Sequence, residues 1–114
     1  MIASGTRVLV ATKPIDFRKG AATLLALVRD AGADPFAGTL YVFRSKRKDR
    51  IKIVWWDGSG ICLFTRRLDE AGFCWPRLED GVLRLSSAQL MALVDGMEWT
   101  RLHALRRRRP QSLG

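Results

Sequence analysis

The chain has 114 residues, 47% of them apolar, with 20 Lys and Arg against 11 Asp and Glu for a formal charge of +9. That length supports one core and excludes two independent ones, and the apolar fraction excludes disorder throughout. A pI near 10.8 points to an acidic partner, nucleic acid first and an anionic membrane surface second.

Residues 7–11, rich in Val and Leu, predict a first strand, closed by Pro14. Asp16 is placed as a helix N-cap, its carboxylate free to accept the amides of a first turn. Phe17, Ala21, Leu24, Leu25 and Val28 then fall on one face of an amphipathic helix, which Gly32 and Asp34-Pro35 terminate. Three strands follow at Leu40–Arg44, Arg50–Trp56 and Ile61–Arg67, with Asp57-Gly58-Ser59-Gly60 as the turn between the last two. Alternation puts Ile51, Ile53 and Trp55 on one face of the middle strand and Lys52, Val54 and Trp56 on the other. The sheet is expected to be covered by the first helix on one face and open elsewhere. Residues 76–81 read as a loop, Val82–Leu85 as a short strand, and Ser86-Ser87-Ala88-Gln89 as a capping box opening a second helix. Leu90, Met91, Leu93 and Val94 are its apolar face and Gly96 its stop. The fold class is therefore a small single α+β domain over residues 1–100: a mainly antiparallel sheet of four or five strands packed by two helices. A disordered basic tail is expected at 101–114.

Charge is densest at the first hairpin. Arg44, Lys46, Arg47, Lys48, Arg50 and Lys52 lie within nine residues, interrupted by the single acid Asp49. Cations at a rigid hairpin tip can neutralise a polyanion without disturbing a core; the competing reading is a turn kept soluble by its charge. Trp56, placed beside Lys52 on one face, is a candidate base-stacking platform, a protein-interface anchor, or core. Trp75 and Trp99 read as packing residues. Arg18 and Lys19, in the first turn of the expected helix, oppose its dipole and mark either an anion site or a salt bridge to Asp16. Arg66 and Arg67 read as a solvated strand end or a weaker contact. Arg106, Arg107, Arg108 and Arg109 resemble the arginine-rich tails that add salt-dependent affinity for nucleic acid.

Nothing in the pattern builds a catalytic site. His103 is the only histidine, no HxH or HExxH spacing is present, and the acids are scattered. No cofactor or metal is expected. Cys62 and Cys74 lack CxxC spacing and are expected to be reduced, packed thiols. The apolar run at 8–11 is too short for a signal peptide and no run reaches the ~20 residues of a spanning helix, so a cytoplasmic protein without a membrane partner is expected.

An ordered set of fragments carries a family resemblance: Asp16-Phe17-Arg18-Lys19-Gly20, Asp34-Pro35-Phe36 with Gly38, Tyr41-Val42-Phe43-Arg44, the basic tip around Arg47, Ile51-Lys52, Trp55-Trp56-Asp57-Gly58, Gly60, Leu63-Phe64-Thr65-Arg66-Arg67-Leu68, Phe73 with Trp75-Pro76, and Gln89-Leu90 through Gly96. Together they resemble the TnpB-type accessory protein of insertion sequence 66 family elements. The chain departs from the family at Ala71-Gly72, where a glycine and a basic residue are usual, and at Ala21-Ala22-Thr23, where Phe-Asp-Gly is frequent. Roles attached to those positions do not carry over. The resemblance implies involvement in transposition beside a separate, larger transposase. The reading is then a non-catalytic accessory protein that binds element DNA through phosphate contacts and works with the transposase of the same element, with an apolar surface left for that partner or for self-association. The alternative is an adaptor that docks on the transposase and meets acidic protein in place of DNA.

Overall fold

Period-two alternation in the strands and helical spacing at 24–28 are both realised in the computed structural model, which describes residues 6–11, 13–68, 72–75 and 82–95. One five-stranded sheet contains β1 (Val8–Ala11), β2 (Leu40–Arg44), β3 (Arg50–Trp56), β4 (Ile61–Arg67) and β5 (Val82–Leu85), in the order β4-β3-β2-β1-β5. β1 and β2 pair in parallel and every other neighbouring pair is antiparallel. A parallel pair needs a crossover, and α1 (Ala21–Asp30) lies between β1 and β2 in the chain to supply it. α2 (Ser87–Val94) follows β5 and opens with the expected capping box: Gln89 N–H donates to Ser86 Oγ at 3.0 Å and Ser86 N–H to Gln89 Oε1 at 2.9 Å.

Both faces of the sheet are covered, contrary to the one-sided sheet expected from the sequence. On one face Leu24, Leu25 and Val28 of α1 pack on Tyr41, Phe43 and Val54. On the other, Val8, Val10, Val42, Ile51 and Ile53 meet Leu90 and Leu93 of α2 and the Phe73–Trp75 segment. The second layer was hidden because α2 and residues 72–75 are short, and neither shows what it packs against. Burying side chains such as Leu24, Ile51, Leu90 and Leu93 contributes about 1.5–3 kcal/mol each.

α1 begins at Ala21 with Gly20 as N-cap, not at Phe17. Asp16 does not cap it. Its Oδ1 accepts from the Arg18 N–H and Nε, both at 3.0 Å, and its Oδ2 from Arg18 Nη2 at 2.7 Å. Residues 15–19 instead lie against the β2–β3 hairpin, where Ile15 N–H donates to Arg44 O at 3.0 Å. A long-range contact has overridden local helical periodicity. Arg18 and Lys19 consequently precede the helix, and no helix-dipole argument applies to them.

Candidate functional site

The basic tip is a pinned turn. Ser45 N–H donates to Arg50 O at 3.0 Å and Lys48 N–H to Ser45 O at 3.1 Å. Ser45 Oγ donates to Asp49 Oδ1 at 3.0 Å and accepts from Arg50 N–H at 3.1 Å, so the one acid of the run is engaged inside the turn. Lys48 sits in the left-handed region at φ 64°, which lets the chain reverse after the turn. A second strand of chain braces it from outside: Leu68 N–H donates to Asp49 O at 2.8 Å and Phe73 N–H to Lys48 O at 2.7 Å. Lys46, Arg47 and Lys48 are all exposed on this frame, and among the described residues none of them forms an ion pair.

Beside the tip runs an open groove of about 470 Å³, lined by Pro14, Phe17, Lys46, Arg47 and Arg50 together with Asp16 and Asp49. Arg50 lies 5.9 Å from the Phe17 ring centre, and Arg18 is exposed but is not among the residues that line the groove. Arg18 is ion-paired to Asp16, whose carboxyl its guanidinium and backbone N–H hold far below the usual carboxylate range. That is the salt-bridge alternative for Arg18.

Lys52 leaves the predicted cationic surface. Its side chain is buried, and Nζ donates to the carbonyls of Phe17 at 2.7 Å and Lys19 at 2.8 Å, with the Phe17 ring 4.5 Å away. It ties residues 17–19 to the sheet and cannot reach a phosphate. The available signal was its place beside Val54 on the alternation of β3, the face that α1 covers. Arg44 is also drawn inward, half-buried, with Nη1 donating to Ser45 O at 3.3 Å and its guanidinium 6.0 Å from the Trp75 ring.

The chain matches a protein-family model described as IS66 Orf2 like protein over residues 6–104. It belongs to that family. This IS66 Orf2-like protein is similar to two uncharacterized proteins of Sinorhizobium fredii. It is 45% identical to y4jC over 107 residues, covering 93% of this chain and 92% of the relative. It is 39% identical to y4hO over 117 aligned positions, covering the whole of both. No solved structure matches it. Family membership associates it with insertion-sequence transposition.

The remaining predicted residues do not gather at the tip. Trp56 ends β3 six residues from Arg50, roughly 20 Å away along an extended strand. It is half-buried, edge-to-face with Phe36 at 5.3 Å, and Lys52 on its face is covered, so a Trp56–Lys52 platform does not form. Trp56 instead shares an open cleft of about 430 Å³ with Phe36, Trp55, Phe64 and Asp57 at the opposite end of the sheet. Phe36 was passed over as part of a loop motif; it is the most exposed of the large apolar side chains described, at 61%. Arg66 is a strut, with Nη1 donating to Val94 O at 3.0 Å and Asp95 Oδ1 at 3.1 Å at the C-terminus of α2, where a cation is favoured. Arg67 is exposed on the edge strand. Trp75 is buried, as a packing residue should be.

Asp57 organises the β3–β4 turn: its Oδ1 accepts from the N–H groups of Ser59 and Gly60, both at 2.8 Å, and its Oδ2 from Cys62 Sγ at 3.4 Å. The two amides, then the thiol, hold its carboxyl below the ordinary value. Partial burial, then the Asp57 carboxylate, push the Cys62 thiol up. Cys62 and Cys74 are both half-buried, and neither forms a disulfide among the described residues. Among the described residues, no helix is long and apolar enough to cross a membrane and no three His, Cys, Asp or Glu side chains gather as a metal site. Trp99, His103 and Arg106 to Arg109 lie outside the described residues.

Proposed function

We propose that this protein is a non-catalytic accessory factor of insertion-sequence transposition that binds element DNA through its phosphates, using the β2–β3 hairpin tip. One observation carries the reading: Lys46, Arg47 and Lys48 are held toward solvent on a turn braced from both sides, without an acidic partner among the described residues. A surface ordered before binding loses little conformational entropy when it meets a polyanion. Arg50 lines the adjoining groove, and Arg106 to Arg109 supply a second, sequence-independent contact. Strand cleavage and joining belong to the separate transposase, which supplies the clustered carboxylates such chemistry requires.

The test is a fluorescence titration with duplex and single-stranded oligonucleotides across a salt series. Replacing Lys46, Arg47 and Lys48 with Ala should flatten the salt slope by up to ~2.7, at about 0.9 per phosphate contact. Stability should move by less than ~0.5 kcal/mol, as for other surface changes. An unchanged slope removes the tip. Absence of binding in low salt favours the adaptor reading, which the aromatic cleft around Phe36 and Trp56 supports as a place for a protein partner.

A further inference from the structure

The groove beside the basic tip has two features that phosphate contacts alone leave unused, an apolar wall with an aromatic ring and a pair of acids. Pro14, Ile15 and Phe17 form that wall, and Lys46, Arg47 and Arg50 are the cations that face it. The half-buried Phe17 is held in place before any ligand arrives. Lys52 Nζ donates to Phe17 O at 2.7 Å and to Lys19 O at 2.8 Å, and Ile15 N–H donates to Arg44 O at 3.0 Å. The ring centre lies 4.5 Å from the Lys52 ammonium and 5.9 Å from the exposed Arg50 guanidinium. Ring and guanidinium are both planar, and both are surfaces on which unstacked bases lie. Of the acids, Asp16 is paired with Arg18, and Asp49 Oδ1 accepts from Ser45 Oγ at 3.0 Å, which leaves Oδ2 to accept from another donor.

We propose that this groove takes an unpaired nucleotide of a single strand, its base on the Phe17 ring beside Arg50 and its phosphate at Lys46 and Arg47. The site rests on the phosphate-binding role of the tip and deepens it by naming the class of nucleic acid bound there. A nucleotide is flat and apolar at its base, anionic at its phosphate, and carries N–H donors on the base edge. The groove answers each: Phe17 with Pro14, the three cations, and the Asp49 carboxylate, which suits an exocyclic amine. An acidic peptide would satisfy the cations but set its carboxylates beside Asp16 and Asp49, a like-charge contact that costs affinity. A duplex would also satisfy the cations, but its bases are stacked and expose only their edges, so the Phe17 ring would go unused. At about 470 Å³ the groove falls within the ~300–1,000 Å³ of small-ligand sites.

The probes are an oligothymidine strand and an abasic strand of the same length, which carry equal phosphate charge and differ only in their bases. The full chain should bind the first ~5- to 150-fold more tightly, the range that one stacked base contributes. Salt slopes should be the same for both strands, because the slope counts phosphates. Phe17→Leu should abolish the difference in affinity and Phe17→Tyr should keep it, with circular dichroism unchanged in both, since Lys52 bonds the backbone carbonyls that neither substitution alters. A strand carrying 5-iodouracil, irradiated with the wild-type chain, should crosslink within residues 14–17 by mass spectrometry, which needs no variant to fold. Equal binding of the two strands with a salt slope retained overturns the nucleotide site and leaves phosphate binding at the tip standing. Absence of binding to either strand in low salt overturns both. A preference for bases that survives Phe17→Leu, or crosslinks at Trp56 and none at 14–17, also overturns the site.

Discussion

Lys52→Met separates the structural role of this lysine from the DNA contact that its sequence context suggests. Methionine retains the apolar stem and removes the ammonium, leaving the Phe17 and Lys19 carbonyls without their donor and the Phe17 ring without its cation. A hydrogen bond to a charged group contributes about 1.5–3 kcal/mol, and relief from burying the charge offsets part of the two. The expected net loss is ~2–4 kcal/mol. With a urea dependence of ~1–3 kcal/mol per molar, the unfolding midpoint should fall by ~1–2 M. The backbone of 15–19 should loosen, which amide hydrogen exchange reports at Ile15 and Lys19, whose N–H groups donate to Arg44 O and Asp16 O. The salt slope of DNA binding, measured below the unfolding transition, should not change. A variant with an unshifted midpoint and a slope reduced by ~0.9 would refute the reasoning and return Lys52 to the phosphate-binding surface.

Gly72→Ala should destabilise by at least ~1–2 kcal/mol, since residue 72 has φ +75° and an added Cβ would lie 2.9 Å from the Lys48 carbonyl oxygen. Thermal unfolding checks it, and a neutral substitution would mean the 72–73 brace on the tip is dispensable. Trp56→Ala should cost ~2 kcal/mol of stability, about half that of a fully buried tryptophan, and leave the DNA salt slope alone. A loss of single-strand affinity of 1–3 kcal/mol would instead restore the stacking reading. Carboxyl NMR should find Asp57 titrating below its ordinary 3.8. Because its folded value is depressed, the stability it contributes is complete above the unfolded value and is lost as pH falls through the folded one. A midpoint at or above 3.8 rejects the turn geometry.

The strands, their turns and the α2 capping box were legible because each is set by neighbours in sequence: alternation, Asp57-Gly58-Ser59-Gly60, and Ser86 with Gln89. What was not legible depended on contacts far apart in the chain. Asp16 reads as a helix N-cap, yet residues 16–19 close a turn of their own, Lys19 N–H donating to Asp16 O at 3.0 Å, and Lys52, more than thirty residues on, holds that turn to the sheet. Six cations also look alike in a string. The fold separates them into exposed groups at Lys46, Arg47, Lys48 and Arg50, the half-buried Arg44, and the buried Lys52. Sequence identified the charge but not which part of it faces solvent.

The brace on the tip links these points. Lys48 occupies a left-handed backbone conformation that costs a lysine about 1–2 kcal/mol, so some other interaction must hold it there. The Phe73 N–H does so through the Lys48 carbonyl, and Phe73 is itself buried with Ile51, Ile53 and Leu90. Gly72 allows the close approach. The shape of the basic turn is thereby set by the core through residues 72–73, and glycine is the one residue type that suits both the φ and the spacing at 72. A tip fixed this way presents its cations in the same place whether or not a polyanion is bound. Loosening the brace should therefore weaken DNA binding without removing a single charge.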